Sequence, residues 1–113
     1  MRGVALAGSW ARGQPRAGSD VDLVVLTDEE PLDVADALPA DAVDLGSRRW
    51  GPVHERRFRL TSGLEVDLGL APLSWATVPV DDGTARVVAD GFRVLWDPDG
   101  LLTRLVGAVA GAS

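Results

Sequence analysis

Apolar residues fall in short runs along the chain, separated by Gly, Pro and Asp, and the runs carry either twofold or 3.6-residue spacing. GVALAG, residues 3 to 8, reads as a short buried strand. Ser9 to about Gly13 has room for one helical turn, with Ser9 as its N-cap. Gln14 to Ser19 holds Pro15 and Gly18 and reads as a loop. VDLVVLT, residues 21 to 27, is β-branched and apolar on both faces, as a central strand requires. Pro31 opens a helix over roughly 32–38. A strand is expected over 43–49 and another over HERRFRL, 54–60. Thr61-Ser62-Gly63 then turns the chain into LEVDLGLA, 64–71, so the last two strands form a hairpin. SWAT after Pro72 makes a helical turn, 82–90 a helix and FRVLW, 92–96, a short strand. From 101 to 109 the apolar positions are 101, 102, 105, 106 and 109, the spacing of an amphipathic helix. Strands and helices are mixed in order, which predicts an α/β (α+β) domain: a mixed sheet of about four to five strands flanked by short helices.

Composition narrows this. The 113 residues fit one domain over 1–113 and leave no room for two. With 46% hydrophobic and 25% charged residues the composition is ordinary for a soluble globular domain. The net charge of −6 argues against a nucleic-acid groove, since such grooves need a basic face. It leaves room for a small phosphate ligand held through a metal. All eleven basic residues are Arg, so chemistry that needs a lysine is excluded. No Cys is present, so there are no disulfides and no thiolate metal sites. The apolar run Val4–Ala7 is too short for a secretory leader and no run approaches a membrane span. A cytoplasmic location is the expectation.

The chemistry lies in the carboxylates. Side chains alternate along a strand, so Asp20 and Asp22 share a face. Two carboxylates side by side on an apolar strand repel each other and resist ionisation, and a divalent cation offsets this directly. Taken alone, the pair also fits a strand end in solvent. A second strand adds weight. In LEVDLGLA, Glu65 and Asp67 share one face while Leu64, Val66, Leu68 and Leu70 take the other. If this strand lies beside 21–27, Asp67 completes a triad able to hold two metals for in-line phosphoryl transfer. Gly8 lets the backbone approach a ligand, Ser9 offers a hydroxyl, and a helix starting there would turn its N–H groups toward phosphate.

Gly8-Ser9, ten intervening residues, Asp20-x-Asp22 and a third carboxylate at Asp67 resemble the DNA polymerase β-type nucleotidyltransferase superfamily, in particular its minimal nucleotidyltransferase group. The resemblance covers roughly residues 3 to 71. It implies the nucleotidyltransferase fold and transfer of a nucleoside monophosphate from an NTP, with ATP expected, to a hydroxyl on a small molecule or protein. It implies two Mg²⁺ ions ligated by Asp20 and Asp22, with Asp67 ligating the ion at the acceptor and helping to deprotonate it. Glu65 is the substitute for that third role. Gly8 and Ser9 are implied to contact the triphosphate. The family fold usually starts with a helix ahead of the first strand, whereas Met1 here sits almost on that strand. Either the start lies upstream, or one sheet face is uncovered and invites a partner or a homodimer. The helical domain that grips the acceptor in larger members is not visible.

Arg12 and Arg16 lie between the Gly-Ser turn and Asp20, where Arg12 is the candidate for a phosphate contact. Arg56, Arg57 and Arg59 straddle both faces of their strand, so at most part of the trio faces a site. His54, the single histidine, cannot make a zinc site alone and reads as a strand-end residue. Trp10, Trp50, Trp75 and Trp96 are expected in the core or at its rim, and D-P-D-G at 97–100 as a turn and helix cap. Two other roles compete with the enzyme. Small members of this group are antitoxins that bind, and in some cases adenylylate, a helical HEPN-type ribonuclease toxin, and this chain resembles them in size and motif. A third possibility is a remnant that binds NTP and transfers nothing.

Overall fold

The computed structural model describes residues 2–14, 20–28, 40–77 and 80–112. The expected helix over 32–38, most of the loop 14–19 with Arg16, and the Trp50 side chain lie outside the described residues. Among those described, β1 (Gly3–Ala7), β2 (Val21–Thr27), β3 (Val43–Trp50), β4 (Val53–Arg59), β5 (Glu65–Pro72) and β6 (Phe92–Trp96) form one sheet in the order β3-β4-β5-β2-β1-β6. That is six strands where four to five were expected. The α+β class holds. Only the β2–β5 neighbours run parallel; every other pair is antiparallel, so the sheet is mixed.

The helices are α1 (Gly8–Ala11), α2 (Asp82–Ala89) and α3 (Leu101–Ala112), with a 3₁₀ turn at Leu73–Ala76. Caps explain where two of them begin. Asp81 accepts the Thr84 N–H at 2.7 Å and starts α2. Asp97 accepts the Leu102 and Thr103 N–H groups at 3.1 and 2.8 Å, so D-P-D-G is the helix cap its sequence announced. The α1 expectation needs correcting: its N-cap is Ala7, with no side-chain cap, and Ser9 lies inside the turn. α1 starts at Gly8 because β1 ends there, with the Gly8 N–H bonded to the Gly91 carbonyl at 3.0 Å.

The pleat sorts the sheet into two faces. Register places Val24 opposite Ala5 and Gly69, and Leu26 opposite Ala71. Ala5, Val24, Leu26, Val53 and Ala71 therefore share one face, where they form the core with Trp75, Val88, Leu102 and Leu105. A side chain such as Leu105, fully removed from water, contributes about 1.5–3 kcal/mol by burial. On the opposite face Phe58, Val66 and Leu70 are also buried, while Val4, Leu6, Leu23 and Val25 are half-buried. That face is therefore not left bare to water. Among the tryptophans, Trp75 is core, whereas Trp10 and Trp96 are 37% and 45% exposed. No helix among the described residues is long and apolar enough to cross a membrane.

Candidate active site

The carboxylates lie on the core face, beyond its apolar end. β2 and β5 pair so that Asp22 stands in register with Asp67. Two residues further along, Val24 meets Gly69, and two further still, Leu26 meets Ala71. One pleated face thus grades from hydrophobic core to acid within a few residues. β4 flanks β5 and adds Glu55 opposite Gly69 and Arg57 opposite Asp67 on the same face. Asp20 sits just ahead of β2 and accepts a hydrogen bond from Arg57 Nη2, which fixes it on this side. Arg57 Nε is also 3.5 Å from Asp67 Oδ1. The structure thus brings Asp22 and Asp67 side by side on adjacent strands, and Arg57 links Asp67 to Asp20.

Burial and mutual repulsion act on these groups together. The Asp22 carboxyl is raised to about 7, first by burial, then by its hydrogen bond to Asp67 and by the charges of Asp67, Asp20 and Glu55. Asp67 is raised as well, mainly by burial, while the Asp22 hydrogen bond and the Arg57 charge pull the other way. The two carboxyls titrate as a coupled pair, and their burial and mutual repulsion favour the protonated form. Because Asp22 keeps its proton in the fold to a pH well above the ordinary 3.8, the fold binds more protons than the unfolded chain between those values. Its stabilising contribution is complete below about pH 3.8 and is lost as pH rises through about 7. Metal-free protein should accordingly lose stability from pH 4 to 8, as thermal melts in a chelating buffer would show; a melting temperature that rises across this interval would refute it.

A cavity of about 470 Å³ opens at this end of the sheet, lined among others by Gly8, Asp22, Glu55, Asp67, Arg48 and Asp90. This is within the range of small-ligand sites. A second cavity of about 230 Å³ shares Arg48, Glu55 and Asp67 and adds Arg57. Gly8 is pressed against the acid: a Cβ built there would lie 2.6 Å from Asp22 Oδ2, and its φ is +71°. Its N–H is engaged with Gly91, so what Gly8 gives the site is the lack of a side chain, not a free donor. Ser9 and Arg12 do not line either cavity. Arg12 Nη1 instead donates to the Asp90 carbonyl and is 3.4 Å from its carboxylate, at the cavity rim.

Sequence reasoning passed over two groups. Glu55 lines both cavities and is held by Arg48 Nε at 2.8 Å, with its side chain only 15% exposed. Glu65, named as the substitute acid, bonds Arg59 at 3.3 Å and lines neither cavity. Arg57 was seen only as one of three arginines, because the sequence does not say which of them falls opposite Asp67. The strand pairing was the missing signal; once Asp67 is placed, counting back through the hairpin selects Arg57 and Glu55.

The donors fit a hard divalent cation in kind: they are carboxylate oxygens, and the Arg57 guanidinium offsets part of their like charge. As the side chains stand, no group of three acidic or histidine residues among those described is spaced to share one cation, and Asp20 is turned to Arg57.

A family model for the nucleotidyltransferase domain matches residues 2–81, which include Asp20, Asp22, Glu55 and Asp67. The chain belongs to that family, consistent with a minimal nucleotidyltransferase of the DNA polymerase β-type superfamily, and its general function is nucleotidyl transfer. A search of curated proteins finds no match.

Proposed function

We propose that this chain moves a nucleoside monophosphate, AMP from ATP, to a hydroxyl acceptor on a small molecule or protein. The observation that carries the reading is the in-register pairing of Asp22 with Asp67 on parallel strands, both lining the larger cavity, with Asp20 linked to Asp67 through Arg57. Asp20, Asp22 and Asp67 would hold two Mg²⁺ ions, which when bound neutralise the triphosphate and activate the attacking oxygen. Asp67 accepts the acceptor's hydroxyl proton. The freed oxygen bonds the α-phosphorus, and pyrophosphate leaves with the electron pair of the bond that breaks. Gly8 keeps the backbone close to Asp22 without a side chain in the way. Arg12, held by Asp90, would meet the outer phosphates only by turning away from that partner.

The partner reading, an antitoxin-like role toward a helical HEPN-type protein, is supported by a different feature. Leu95 and Trp96 are 54% and 45% exposed on the edge strand β6, and exposed apolar edges favour protein contacts. Transfer to a protein hydroxyl is compatible with both readings.

Calorimetric titration of a non-hydrolysable ATP analogue tests the first reading. Heat of binding is expected in Mg²⁺ and is expected to vanish in EDTA. Binding of equal strength in both would refute a metal-bridged nucleotide.

A further inference from the structure

We infer that Arg57 is the resident counter-cation of the carboxylate cluster, and that a divalent ion must displace it in order to bind. This rests on the proposed metal site at Asp20, Asp22 and Asp67.

Three carboxylates on neighbouring strands of a half-buried face cannot stand together without a compensating charge. The register of β4 against β5 puts Arg57 directly beside Asp67, on their shared face. Its guanidinium bridges the two strands, donating to Asp20 and reaching Asp67. The other β4 arginines are directed elsewhere: Arg56 bonds Asp44 and Arg59 bonds Glu65. Arg57 is therefore the β4 arginine that meets the cluster.

The oxygens it engages are the oxygens a metal needs. A hard divalent ion takes carboxylate oxygens as direct ligands, and a guanidinium fork takes the same lone pairs. The two occupants exclude each other at Asp20. Arg57 is also free to leave, because its side chain is 43% exposed and borders the 230 Å³ cavity. Metal binding is then an exchange, and its apparent affinity is lowered by the stability of the arginine bridge. Removing the competitor raises that affinity by mass action. A charge-assisted hydrogen bond of this kind is worth about tenfold in an equilibrium constant. Loss of packing or of folding would act in the opposite direction and weaken binding.

Mn²⁺, a hard ion that accepts the same ligands, is the probe. It is titrated into nucleotide-free wild type, Arg57→Gln, Arg57→Lys and Asp22→Asn, with free ion followed by its EPR signal and folding by circular dichroism. Arg57→Gln should bind about tenfold more tightly than wild type. Arg57→Lys should fall between, since an ammonium keeps the charge without the fork. If wild type binds, Asp22→Asn does not, and Arg57→Gln binds no more tightly than wild type, the counter-cation role is overturned while the metal site stands. If Asp22→Asn binds as tightly as wild type, the metal site itself is misplaced and the inference falls with it. Should Arg57→Gln fail to fold, Arg57→Lys decides: affinity equal to or below wild type overturns the role.

Discussion

Asp22→Asn should reduce nucleotidyl transfer by at least about a thousandfold, and the same variant should melt at a higher temperature than wild type in metal-free buffer at pH 8. The two effects have one cause. A ligand carboxylate contributes several kcal/mol of charge stabilisation in the transition state, at 1.36 kcal/mol for each factor of ten in rate. Without metal the same carboxylate is a liability. It is partly buried, it faces Asp67, and Asp20 and Glu55 add to the repulsion. At pH 8 the unfolded chain and the fold are both ionised there, so the fold carries the whole penalty. Asparagine has the same shape, bears no charge, and its amide can donate to Asp67. The expected gain is roughly 1 kcal/mol, since half of the group faces water and solvent screens it. Below pH 4 the difference should close, because Asp22 is then neutral in the wild type. Transfer assays with saturating Mg²⁺, and melts in EDTA at pH 4 and pH 8, would check both halves. Wild-type turnover in the variant would remove Asp22 from the metal site; a variant less stable than wild type at pH 8 would show that its charge is not what strains the fold.

The strands and the acid pair were legible in the sequence because both depend on local pattern. VDLVVLT could only be a central strand, and the alternation in LEVDLGLA put Asp67 on one face by itself. What the sequence could not show is pairing. Nothing in it states that β5 lies parallel beside β2, so the triad stayed conditional until Asp22 and Asp67 were seen in register. The same gap hid Glu55 and Arg57, whose importance comes from the hairpin count and not from their neighbours in the chain. Ser9 illustrates the reverse error. Its type suits an N-cap, yet the ladder between β1 and β6 carries on to Gly8 and sets the cap at Ala7, two residues earlier than capping chemistry alone would. Tertiary hydrogen bonding outweighed local preference there. For Arg12, proximity in sequence suggested phosphate, whereas the nearest anion in space is Asp90, which is far away along the chain.

Gly8→Ala should lower transfer about a hundredfold, whereas Gly13→Ala, a matched change five residues on, should leave it near wild type. Both glycines have φ of +71°, a conformation that costs an alanine about 1–2 kcal/mol. Their surroundings differ. A Cβ at Gly13 meets nothing within 4 Å, while a Cβ at Gly8 lies 2.6 Å from Asp22 Oδ2. Either the carboxylate moves or the α1 turn does, and each response disturbs the proposed metal site at Asp22. A shift of about 1 Å at reacting groups is enough for a hundredfold loss. Gly13→Ala thus carries the backbone strain alone, and Gly8→Ala carries the strain together with the collision. Similar losses of melting temperature with a large difference in turnover would assign to Gly8 the task of keeping Asp22 unobstructed. If both variants lost turnover equally, the glycine of the Gly-Ser pair would matter for the turn and not for the carboxylate beneath it; if Gly8→Ala kept the wild-type rate, Asp22 would not need the position in which the fold holds it.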